Sequence, residues 1–155
     1  MGTKLAWCKK QKAGIRLTDP NDNLAREYYE SAEDTIRDLN TNKTESIIWK
    51  ATKKYYAEYY AAYAILMKLG IKSEIHECTI ALIQWMEEEK ILTFRLASIL
   101  DEDKRLRIDN QYYLKNRPVP INPEQLATML LNIKTCIDGL TPARIQEIRK
   151  KVEKA

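Results

Sequence analysis

Glycine, histidine and cysteine are scarce in this 155-residue chain, and each shortage closes off a class of chemistry. The four glycines, Gly2, Gly14, Gly70 and Gly139, are too scattered to build a phosphate cradle, and no P-loop, GxGxxG, GxSxG or HExxH pattern occurs. Common nucleotide hydrolases are therefore disfavoured. The single histidine, His76, and three widely separated cysteines, Cys8, Cys78 and Cys136, with no CxxC pair, suggest neither a zinc site nor a disulfide framework. No metal and no cofactor is expected, and a reducing, cytoplasmic setting fits this usage. Long apolar runs are also missing: none reaches about 18 residues, and the N-terminal MGTKLAWCKKQKAG has no signal-peptide core, so membrane insertion and secretion lack support.

What the chain does have is enough apolar content, 45%, for one core without staples, and a net charge of +4 that is unevenly spread. Residues 1–20 carry five positive charges against Asp19, and residues 141–155 carry five against Glu147 and Glu153. Basic ends of this kind can touch phosphate, although a solvated charged face is the commoner use of such residues.

The stretch from Thr52 to His76 organises the rest. Tyr59 to Met67 is nine residues without a charge, which predicts a helix covered on every side by other helices. Lys50, Lys54 and Glu58 fall four apart on one polar face near its start. Ala57, Ala61 and Ala64 form a stripe that permits close helix approach. Tyr55, Tyr56, Tyr59, Tyr60 and Tyr63 bring hydroxyls that need partners when buried, so a polar network within the core is expected. Thr44 is a candidate start for this helix, and Gly70, after Leu69, stands where a left-handed terminating residue is wanted.

Around it, residues 1–21 read as a basic arm that packs by Trp7. Asn23 to Leu39 reads as an amphipathic helix running antiparallel to the central one. After Gly70, Ser73 is a candidate cap for a third helix carrying Ile75, Cys78, Leu82 and Met86, with His76 in its first turn and Glu87, Glu88 and Glu89 as a solvated end. Lys90 to about Leu114 continues helically, then leaves the core through DEDKRLRIDNQYY and breaks at Asn116-Arg117-Pro118. Asn122-Pro123 and Thr141-Pro142 each combine a cap with a proline at the first helical position. They predict two more helices, the first ending at Gly139. No segment reads as a hairpin. The expected fold is all-α, a single up-and-down bundle of five or six helices, with 22–138 as its core and 139–155 as a basic C-terminal helix.

Three segments, YYAEYYAAYAILMKLGIK from Tyr55 to Lys72, His76 at the following helix start, and RIDNQY from Arg107 to Tyr112, resemble the HEPN superfamily of small helical domains. The likeness is to its stand-alone prokaryotic branch with a tyrosine-rich core helix. It covers roughly residues 22–138. The branch pattern has an aromatic-Ala-aromatic helix, a Gly loop, Lys-Thr-His and later Arg-x-x-Ala-Asp-Tyr. Here Ile75 replaces the Thr, and Asn110 and Gln111 replace Ala and Asp. The superfamily's ribonucleases carry an Arg separated from the His by four to six intervening residues, positions held here by Ile71, Gly70 and Leu69. The resemblance implies a homodimer that binds nucleotide or RNA, using Lys72, His76, Arg107 and Tyr112, and that pairs with a nucleotidyltransferase in a toxin-antitoxin type module. The alternative it implies is a metal-independent ribonuclease with a rearranged His76/Arg107 site. Imidazole and guanidinium suit proton transfer and phosphate stabilisation, and the two need not be sequence neighbours. Arg107 can equally be one member of a solvated charged face with Lys104, Arg105 and Asp109.

Overall fold

A computed structural model describes residues 2–42 and 45–155 and shows an all-α architecture. Seven helices occur among the described residues, where five or six were expected: α1 (Gly2–Lys10), α2 (Asp22–Thr41), α3 (Ile47–Leu69), α4 (His76–Glu88), α5 (Ala97–Gln111), α6 (Pro123–Asp138) and α7 (Pro142–Lys154). The only extended pairing among them joins two-residue strands, β1 (Arg16–Leu17) and β2 (Ile71–Lys72), antiparallel, with Arg16 opposite Lys72. No described helix is long and apolar enough to cross a membrane.

The central helix is α3, and its apolar half is buried all round: Ala57, Ala61, Ala62, Ala64, Ile65 and Leu66 have no exposed surface. Thr44, the expected start, lies outside the described residues. Ser46 caps the helix instead, its side chain accepting from the Trp49 N–H. At the other end Gly70 adopts φ 72° and ψ 43°, the left-handed terminating conformation. A Cβ there would stand 2.5 Å from the Thr18 carbonyl oxygen and 2.6 Å from the Pro20 nitrogen, so the chain passes too close for any side chain.

Ion pairs give the helix directions. Lys53 near the start of α3 pairs with Asp38 near the end of α2, and Lys68 near the end pairs with Asp22 at the beginning, so α2 and α3 are antiparallel. The same logic applies to α5. Thr52 meets Gln111, Tyr56 meets Arg107, and Lys54 meets Asp103, again an antiparallel neighbour. The charged run in α5 therefore does not leave the core. Leu100, Asp103, Leu106 and Asn110 are all buried, because their spacing keeps one face of the helix on α3.

Local capping signals hold where the cap is close in sequence. Asn122 accepts from the Glu124 and Gln125 N–H groups, and Thr141 from that of Arg144, each followed by the expected proline. Ser73 does not cap α4. It is buried and spent on the tyrosine network, and Ile75 occupies the cap position with no side-chain bond. The segment from Lys90 is not helical until Ala97, because Lys90 takes φ 60° and the Ile91 and Leu92 N–H groups fold back onto the Met86 carbonyl. Glu87 is not merely part of a solvated end. Its carboxylate accepts from the Leu96 and Ala97 N–H groups and so caps α5 from a neighbouring helix.

The basic arm is a helix followed by a strand, and it does not pack by Trp7, which is 47% exposed under the Lys4 ammonium. It packs by Leu5 and Cys8, and Cys8 forms a disulfide with Cys78 in the first turn of α4. This overturns the expectation of no disulfide. Seventy residues separate the two in sequence, and only the fold brings them together. Part of the positive charge at the two ends is used internally. Lys9 donates to the carbonyls of Glu153 and Ala155 at the end of α7, while Arg149 donates to those of Thr18, Leu69 and Gly70. A cation on the last carbonyls of a helix is favourably placed in its field.

Candidate functional site

The tyrosines of α3 recur at intervals of one, three and four residues and so make a continuous ring stripe along one side of the helix. Successive pairs from Tyr55 to Tyr63 lie with ring centroids between 5.4 and 6.3 Å apart. The expected polar network exists at its lower end. The Tyr63 hydroxyl donates to the Ser73 carbonyl and accepts from the Ser73 N–H. Thr79 Oγ1 donates to Ser73 Oγ and lies 3.1 Å from the Tyr59 hydroxyl. Every one of these groups is buried, so satisfying them is a condition of folding.

His76 enters the stripe from the start of α4. Its ring stacks on Tyr59 at a centroid distance of 4.3 Å and 17°, and its Nδ1 is 2.8 Å from the Tyr55 hydroxyl. Burial, then the positive charges of Arg107 and Lys104, hold the imidazole pKa below 6.5, so the ring is neutral at physiological pH. Burial also pushes the Tyr55 phenol well above its ordinary value and that of Tyr59 up to about 12, so both keep their protons. The tautomer sets which of the Tyr55 hydroxyl and Nδ1 donates in this bond, and the neutral ring carries one N–H donor in either case.

Arg107 enters from α5. Its guanidinium carbon lies 5.1 Å from the Tyr55 ring centroid and 5.3 Å from that of Tyr56, and Nη1 donates to the Tyr56 hydroxyl at 3.3 Å. Its Nε is buried with no hydrogen-bond partner. Arg107 is thus apart from two of the charged residues considered beside it: Arg105 pairs with Asp101, and Asp109 with Lys115 and Arg117.

Of the four residues singled out from sequence, His76 and Arg107 therefore come together on shared tyrosines. Lys72 lies on β2, exposed, in an ion pair with Glu74 that Arg16 also joins. Tyr112 is the C-terminal cap residue of α5 and 65% exposed, and no ring contact among the described residues ties it to the stripe. Tyr56 and Lys104 were missed. Lys104 stands one helical turn before Arg107 on the same face, a signal legible in the spacing once Arg107 is chosen.

The cluster can bind anions and polarise them, having a fixed guanidinium, a neutral imidazole with a donor, and half-buried phenol rings for stacking. Among the described residues no group of three or more His, Cys, Asp or Glu side chains could hold a metal ion. A concavity of about 670 Å³ between α4 and α5 is lined by Glu77, Glu88, Arg95, Asp101 and Lys104 among others and does not contain the His76 ring. The chemistry of the His76 cluster and not the size of a cleft marks it as the candidate. Compared with known proteins, the chain matches no family model and no curated protein.

Proposed function

We propose that the protein is a HEPN-like helical domain that binds nucleotide or RNA through Arg107 and His76, with phosphate on the guanidinium and a base against the Tyr56 and Tyr60 rings. The observation that carries this reading is the meeting of Arg107 and His76, distant in sequence, over one tyrosine stripe, with Lys104 adding charge beside them. An arginine whose Nε is buried without an acceptor has unused donor capacity, and phosphate oxygens are the acceptors that match a guanidinium best. Lys72 and Tyr112 would contribute at the periphery. In this proposal the protein acts as a homodimer in the cytoplasm and partners a nucleotidyltransferase in a toxin-antitoxin type module. The support is the resemblance of Tyr55–Lys72 and Arg107–Tyr112 to that superfamily. The Cys8–Cys78 bond makes the cytoplasmic part testable, since thiol labelling of protein from intact cells reads its oxidation state directly.

A second reading, metal-independent RNA cleavage, is favoured by the same juxtaposition of imidazole and guanidinium. It is the lesser reading, because a neutral histidine hydrogen-bonded to a protonated phenol is already engaged at one ring nitrogen. One experiment separates them. Fluorescent unstructured RNA is titrated with the protein without divalent metal at stepped salt, and the products are examined for 2′,3′-cyclic phosphate ends. Binding that weakens with salt, is lost in Arg107→Ala and leaves the RNA intact supports the binding reading. Cleavage lost in both His76→Ala and Arg107→Ala replaces it with the enzyme.

A further inference from the structure

A second cavity, about 420 Å³, opens between α3, α5 and the segment leading into α6, and shares no lining residue with the His76 cluster. Its lining is mixed: Ile99, Leu106, Leu126 and Met129 are apolar, and Lys54, Glu58, Glu102 and Asp103 carry ionisable groups. Glu58 is 1% exposed, in the middle of the central helix, and its Oε1 is buried with no hydrogen-bond partner. The nearby cation does not serve it. Lys54 Nζ is bonded to Asp103, 3.3 Å from Oδ1 and 3.1 Å from Oδ2, and both side chains are largely buried. Arg117, at the rim, is held by Asp109 at 2.7 Å.

We infer that this cavity binds a small amphiphilic amine, with its apolar body on the α5 and α6 side chains and its single ammonium group on Glu58. A buried carboxyl oxygen that lacks a donor, as Oε1 does, is costly, and one arriving N–H satisfies it. The alternatives fit less well. An anion would meet Glu58, Glu102 and Asp103, a metal would find too few ligands among the described residues, and a polyamine would drag a second charge onto Ile99 and Met129.

The free state explains why the site tolerates its own burial. Burial first, then a hydrogen bond to Asp103 and its charge, raise the Glu58 pKa well above 4.5 and favour the protonated carboxyl. The groups facing it are Lys54 on its own helix, Glu102 and Asp103 on α5, and Arg117 on the connecting segment. When an ammonium group docks, Glu58 ionises, the carboxylate pairs with the cation, and the displaced proton goes to solvent.

The test is calorimetric titration of the full chain with phenethylamine near neutral pH in phosphate and in HEPES, whose ionisation heats differ. The expected result is saturable one-to-one binding with net proton release, read as a difference in apparent heat between the two buffers. Phenethyl alcohol should bind weaker by about tenfold or more, and Glu58→Gln should lose a similar factor for the amine. Glu102→Lys changes an exposed rim residue without touching the core, and weakens amine binding while leaving unfolding unchanged. Absence of saturable binding, equal affinity for amine and alcohol, or unchanged affinity in both variants overturns the inference.

Discussion

Replacing Tyr59 tests whether the ring stripe is structural core or surface decoration. The ring is 7% exposed, stacks on His76 at 4.3 Å and on Tyr63 at 5.7 Å, and places its hydroxyl 3.1 Å from Thr79 Oγ1. Tyr59→Ala removes all of this and leaves a cavity between α3 and α4, for a cost of about 3–5 kcal/mol. Tyr59→Phe keeps the ring and removes only the hydroxyl. Thr79 retains Ser73 and Ile75 as partners, so the loss is that of one net hydrogen bond, about 1 kcal/mol. Denaturant unfolding of both variants beside wild type gives the comparison, read as a shift in midpoint at constant slope. The reasoning is refuted if the alanine variant loses no more than the phenylalanine variant, because the ring would then contribute nothing by packing.

Three further outcomes follow from other parts of the molecule. Arg149→Ala should cost about 2 kcal/mol in the same assay, since a charged donor is removed from three carbonyls around the end of α3, and Arg149→Lys should recover only part of it. Replacing Cys8 and Cys78 together by alanine, or reducing the bond, should lower stability by about 4 kcal/mol for a loop of this length, measured by unfolding with and without reductant. For Glu58 the folded pKa lies above the unfolded one. Wild type should therefore lose stability as pH rises from about 4.5 towards the folded value, and the advantage of Glu58→Gln over wild type should grow across that window in pH-stepped unfolding curves.

Legibility in the sequence followed the range of the interaction. Asn122-Pro123, Thr141-Pro142 and Gly70 announce helix ends because a cap acts on backbone groups within three residues of it. The central helix was visible because burial on all sides removes charge from Tyr59 to Met67. Glu58 was not legible as a buried acid. Lys50, Lys54 and Glu58 share a face that reads as solvated, and only the approach of α5 with Asp103 encloses it. The Cys8–Cys78 pair and the capping of α5 by Glu87 were hidden for the same reason, each depending on two elements meeting in space. His76 and Arg107 were individually identifiable, while their meeting required the antiparallel docking of α5 on α3, which no local signal encodes.

The central claim, that Arg107 and His76 form one anion-binding cluster, is tested most directly by proton NMR of the imidazole, which is free of overlap because the chain has one histidine. In the free protein the ring should titrate below 6.5, the folded state resisting a proton that the unfolded chain would accept. Adding adenosine monophosphate should shift the resonance saturably and raise that pKa, because a phosphate beside Arg107 offsets the positive charge that disfavours imidazolium. In Arg107→Ala the free-state pKa should rise and the nucleotide should no longer move it. A histidine resonance indifferent to the nucleotide in wild type, or an identical response in Arg107→Ala, would contradict the account.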